Sequence, residues 1–335
     1  MKRGLITWDK SEIPSAVFER RIERVRRLLA DRQLLAVVVY SELWRSNQAR
    51  FLSNYTPYFN RALLIVPDRQ PQTLLCGLSP RVYSWIRSVT TIEDVRPAGN
   101  FAKPLFELAA ERNWTRIGIL DDPQLPYDIY KAIHSGPLEV VNVEGSALYV
   151  PAEDQTELMM RRKTAAMARS ILADELPKGV GGIDHHLVGR LEGRFRRAGA
   201  EDLITLVTTG DGVPAPPAGK TLEENYSVSL ALEYRGHWVR LSRPQASAQV
   251  LSDCKAGFEQ TLDRLQPGPK PNLASPDVTL SSRARPFLIE DLGGSYPYEL
   301  RTGSIFALHV QFQVEGKSLF YGDTCWRNEA GPQIL

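Results

Sequence analysis

The chain has 335 residues, 43% of them hydrophobic and 24% charged, which is enough for two packed domains and unlike a fibre or a disordered polymer. Lysine and arginine total 41 against 39 acidic residues, and a net charge of +2 makes no overall field that would gather nucleic acid or an anionic membrane. The opening Met1-Lys2-Arg3-Gly4-Leu5-Ile6-Thr7-Trp8-Asp9 turns polar too early for a signal peptide, and no apolar stretch reaches bilayer-spanning length, so a cytoplasmic protein away from membranes is expected. Cys76, Cys254 and Cys325 are widely separated and form no CxxC pair, which predicts buried structural thiols and not a disulfide framework or thiolate zinc site.

From residue 14 to 32, Val17, Phe18, Ile22, Val25, Leu28 and Leu29 recur at helical spacing among arginines, predicting an amphipathic helix with a solvated basic face. A β-branched run at 34–40 predicts a buried strand. Strands at 62–66 and 73–76, a helix at 104–112 and a strand at 116–120 follow, an alternation that reads as an α/β domain over 1–150.

A second unit over 151–335 is expected to open with a helix through Ile171, started by Ala152-Glu153-Asp154. A helix from Asp184, placed as its N-cap, runs to Arg197 and stops at Gly199. Strands at 203–208, 227–234 and 238–242 come next, the last two joined by an Arg235-Gly236 turn. Pro214-Ala215-Pro216-Pro217 must be a loop. A helix at 246–265, a breaker-rich stretch at 267–276 and strand-like segments at 304–313 and 318–321 complete an α+β domain.

The segment Glu233-Tyr234-Arg235-Gly236-His237-Trp238-Val239-Arg240-Leu241-Ser242-Arg243 resembles, without a gap, the metal hairpin of proline aminopeptidases, prolidases and creatinase. Phe51-Leu52-Ser53-Asn54-Tyr55, the Gly199-Ala200 break, Thr209-Gly210 and Arg301-Thr302-Gly303-Ser304-Ile305-Phe306 agree with that family in order. The resemblance implies a small α/β domain followed by an α+β pita-bread domain, here degenerate and shortened. It also implies two divalent ions held by two aspartates, a histidine and two glutamates, because hard cations need several anionic oxygens. By the motif those positions fall on Ser229, Arg240, the Pro217 region, His309 and Gly322. Only His309 has a metal-donor side chain of the right kind, and a guanidinium repels cations, so no metal and no cofactor is expected.

Creatinase works without metal, but its base position falls near Pro217 and its hairpin carboxylate on Ser242. Tyr58-Phe59-Asn60-Arg61 resembles the creatinase segment whose arginine crosses the dimer to a substrate carboxylate, which makes Arg61 a candidate. His309, in the apolar run 305–310, is a candidate acid or base and equally a satisfied core histidine. Asp323 is a candidate to orient His309 or Arg240, Arg240 to bind an anion or join a surface ion pair, and Arg243 to do largely structural work. Spacing i, i+3 keeps Arg240 and Arg243 off a common face unless the strand bulges. Tyr298, with Tyr296, Trp44, Tyr58 and Trp238, is a candidate pocket lining, against ordinary packing. His237, His185, His186 and Glu233 are expected at the surface. No phosphate-binding glycine motif occurs.

Two functions are compatible with these residues. One is a metal-independent enzyme of creatinase type acting on a small nitrogenous, anionic or carboxylated compound; replacement of carboxylates by arginine and histidine, as in a repurposed pocket, favours it. The other is a noncatalytic pseudopeptidase, an inactive partner of an active homologue or a peptide-binding module. A homodimer, or a heteromer with an active homologue, is the expected assembly, with a small-molecule or peptide-like ligand.

Overall fold

The computed structural model describes residues 7–148, 154–265, 284–292, 300 and 302–335. The chain divides into two compact units, Lys2–Tyr149 and Val150–Leu335.

In the first unit, a six-stranded mixed sheet is formed by β1 (Ala36–Ser41), β2 (Ala62–Pro67), β3 (Thr73–Cys76), β4 (Asp94–Pro97), β5 (Arg116–Leu120) and β6 (Glu139–Val143), in the order β4-β3-β2-β1-β5-β6. Strand β1 runs parallel to β5 and antiparallel to β2. Helices α1 (Ser15–Asp31), α2 (Asn47–Ser53), α3 (Tyr83–Val89), α4 (Ala102–Glu111), α5 (Tyr127–His134) and α6 (Gly145–Leu148) complete it. The unbroken apolar runs of β1 and β2 follow from burial on both faces. Val37, Val39, Leu64 and Val66 pack with Ile22, Val25 and Leu29 of α1, while Val38, Leu63 and Ile65 pack with Leu105 and Leu108 of α4. One arginine of α1, Arg21, is buried and donates to the Phe51 carbonyl at 2.7 Å, so the basic face is not wholly solvated.

In the second unit α7 (Gln155–Glu175) starts at Asp154, whose carboxylate accepts from the amides of Thr156 and Glu157. Helix α8 (Asp184–Arg197) has Ile183 at its N-cap, which corrects the expected role of Asp184. The Asp184 carboxylate instead accepts from the amides of Ala218 (2.8 Å) and Gly219 (2.9 Å), pinning the proline-rich loop. Helix α9 spans Ala248–Asp263. The strands β7 (Asp202–Thr208), β8 (Tyr226–Tyr234), β9 (His237–Gln245), β10 (Arg285–Asp291), β11 (Ile305–Val314) and β12 (Lys317–Asn328) lie in the order β10-β11-β12-β9-β8-β7, and β13 (Gly331–Ile334) pairs with β12. Strands β8 and β9 meet at Arg235-Gly236, both with positive φ (52° and 82°), the two-residue turn whose twist suits a hairpin.

Side chains alternate across this sheet, and the two sets differ in kind. Val228, Leu230, Leu232, Val239 and Leu241 pack against α7 and α8, and Phe306, Leu308, Val310, Leu319 and Cys325 against α9. The opposite face carries Ser227, Ser229, Ala231, Arg240, Ser242, Gly322, Thr324, Ala307 and His309. All three cysteines are buried and free. Among the described residues no helix is long and apolar enough to cross a membrane.

Candidate functional site

Register aligns a row of residues across four strands on the face away from the helices: Ser229 of β8 opposes Ser242 of β9, Ser242 opposes Gly322 of β12, and Gly322 opposes His309 of β11. The His309 ring reaches over Gly322, placing Nδ1 2.7 Å from Ser242 Oγ, which is 2.6 Å from Ser229 Oγ. A Cβ at Gly322 would stand 2.5 Å from His309 Nδ1 and 2.8 Å from its Cγ, so the glycine makes the room that the imidazole occupies. His309 Nε2 is buried with no hydrogen-bond partner among the described residues. Burial, reinforced by the charges of Arg240 and Arg243, pushes the His309 pKa down to about 3, so the ring is neutral at pH 7.

One row along, Arg240 opposes Ala231, and Glu290 of β10 opposes Ala307. The Arg240 backbone is bracketed by Thr324, whose Oγ1 accepts from its amide at 2.8 Å and donates to its carbonyl at 3.0 Å. Its half-exposed guanidinium meets Glu290 Oε2 at 2.7 Å. The pairing is possible because Ala307 and Thr324, between the two strands, carry small side chains.

Asp323 does not join this group. As the next residue after Gly322 it points to the helix-covered side, where its buried carboxylate bonds Arg243 Nη2 (2.5 Å) and Arg169 Nη1 of α7 (3.1 Å). Arg243 also donates to the Gly322 carbonyl and stacks 4.5 Å from the Tyr321 ring centroid. Asp323 therefore orients Arg243 and Arg169, not His309 or Arg240, and Arg243 faces away from Arg240 as their odd spacing requires.

Two surface expectations are also corrected. His237 is buried, its Nε2 3.0 Å from Glu157 Oε1, with Arg161 Nε 3.7 Å from the other carboxylate oxygen. Glu233 is fully buried. The charged neighbours from α7, remote in sequence, are what make a buried histidine tolerable in a turn-proximal position. His185 and His186 are exposed. Arg61 is half-exposed and pairs with Asp128 Oδ2 at 3.0 Å within its own unit. Tyr298 lies outside the described residues, as do Tyr296 and the Gly293-Gly294 pair.

The hydroxyls of Ser229 and Ser242 entered the sequence reading only as replacements for carboxylates. Their mutual bond and the role of Gly322 are encoded in the strand register, which an ungapped hairpin motif fixes but does not display. A pair of divalent ions demands several anionic oxygens. Around Gly322 the described residues of this face offer instead one imidazole, two hydroxyls bonded to each other and a guanidinium already paired with Glu290, a donor set that does not fit such ions. Among the described residues no three His, Cys, Asp or Glu side chains gather as a metal-holding group.

The folded chain has the two-domain pita-bread architecture, an α/β unit followed by an α+β unit, found in proline-specific peptidases. It is similar to an X-Pro aminopeptidase from Thermotoga maritima MSB8, with a TM-score of 0.72 at 16% identity, covering 93% of this chain and 96% of that chain. A prolidase from Pyrococcus horikoshii OT3 gives a TM-score of 0.70 at 12% identity, covering 94% and 97% of the two chains. The His350Ala form of Escherichia coli aminopeptidase P gives 0.66 at 12% identity, covering 98% and 95%. At such identities the likeness carries the fold. No protein-family model and no curated protein sequence matches the chain.

Proposed function

We propose that this protein is a noncatalytic pseudopeptidase, a ligand-binding module built on the fold of the Xaa-Pro peptidases and independent of metal. The observation that carries the reading is the Ser229–Ser242–His309 chain laid over Gly322. It occupies the sheet face on which the resemblance expects acidic ligands, and it contains no acid–base pair. A general base works best with a pKa near the operating pH, whereas burial holds His309 near about 3. Asp323, the expected partner, is committed to two arginines on the other side of the sheet, and Glu290 is paired with Arg240.

The test is an assay of protein purified without chelator against Xaa-Pro dipeptides and small guanidino acids, with and without added Mn, Co or Zn, alongside its metal content. No turnover and no stoichiometric metal is the expected result. Turnover that His309→Ala abolishes would sink the reading. It would support the metal-independent creatinase-type enzyme, which one observation favours: the unpartnered His309 Nε2. Assembly as a homodimer, or with an active homologue, belongs to the same proposal and is read by light scattering and copurification.

A further inference from the structure

No further inference is drawn: the strongest candidate, the surface patch of exposed Trp44, Phe59 and Tyr127 at the end of the first unit's sheet where β1 and β5 finish and β2 begins, has its neighbouring charges already paired, Arg61 with Asp128 and Arg45 with Asp121, and nothing in the structure shows what covers it.

Discussion

The two faces of the second unit's sheet are built from neighbouring residues and hold their polar groups in different ways. Gly322 and Asp323, Ser242 and Arg243, and Leu308 and His309 are consecutive pairs, each split between the faces. Toward the helices, full charges are buried and paired, with Asp323 between Arg169 and Arg243. On the other face, around Gly322, the buried Ser242 and His309 are neutral and linked through hydroxyls, and the Arg240–Glu290 ion pair keeps contact with solvent. The difference is one of cost: a buried charge that has lost its partner destabilises strongly, whereas a neutral buried group that lacks one costs less.

The largest effect should come from the helix side. Asp323→Ala leaves two guanidiniums without their shared carboxylate and should cost about 3–5 kcal/mol. Urea denaturation measures it, and a loss below about 1 kcal/mol would break the contrast between the faces. Gly322→Ala should cost roughly 1–3 kcal/mol by pressing on the His309 ring, with part of the loss recovered in the double variant with His309→Ala. Equal stability of single and double variants would show that the backbone, and not the ring, sets the limit.

Acid titration sharpens the helix side further. Glu175 accepts from Lys178 Nζ and Arg194 Nη1, each at 3.0 Å, and from Arg190 Nε at 3.1 Å. Burial acts upward on its pKa but is outweighed by these bonds, which bring it down to about 2. A depressed folded pKa means stability present above the unfolded value of about 4.3 and lost as pH falls toward about 2. Glu175→Gln should therefore flatten the stability profile across that window; an unchanged slope would mean that the cluster contributes nothing. The smallest effect is expected for Arg240→Ala, at about 0.2–1 kcal/mol, because its ion pair is partly solvated. A loss as large as that for Asp323→Ala would erase the distinction drawn here.

Much of the architecture was legible in the residues. Long periodic segments such as α7, α8 and α9, the β8–β9 hairpin and its Arg235-Gly236 turn carry strong local signals. Several short elements leave no such signal: α2, α3, α5, β4 and β6 are each eight residues or fewer, β4 ends in a proline, and β6 is a partly exposed edge strand. The site was legible only as a set of positions. His309 and Arg240 were found, and their shared face follows from pairing that sequence does not state. Asp323 was drawn to His309 by its place in a motif, although one step along a strand reverses the side chain. The turn before His237 points to the surface, as does a motif position without a ligand role for Glu233, and α7, about 80 residues away in sequence from His237, supplies the buried partner that contradicts this for His237.

The Arg235-Gly236 turn has a consequence for how this protein can change. It sets the parity of everything beyond it: with two residues in the turn, Ser242 faces Ser229 and Arg243 faces the helices. One inserted residue, if absorbed as a register slip, would bring Arg243 to the serine side and turn Ser242 toward the hydrophobic core, exchanging a neutral hydrogen-bonded row for a charged one without altering any residue in it. Two inserted residues would restore the alternation. Lengthening the loop by even numbers is thus the route open to such a hairpin, and odd lengths are closed to it unless a bulge takes up the extra residue.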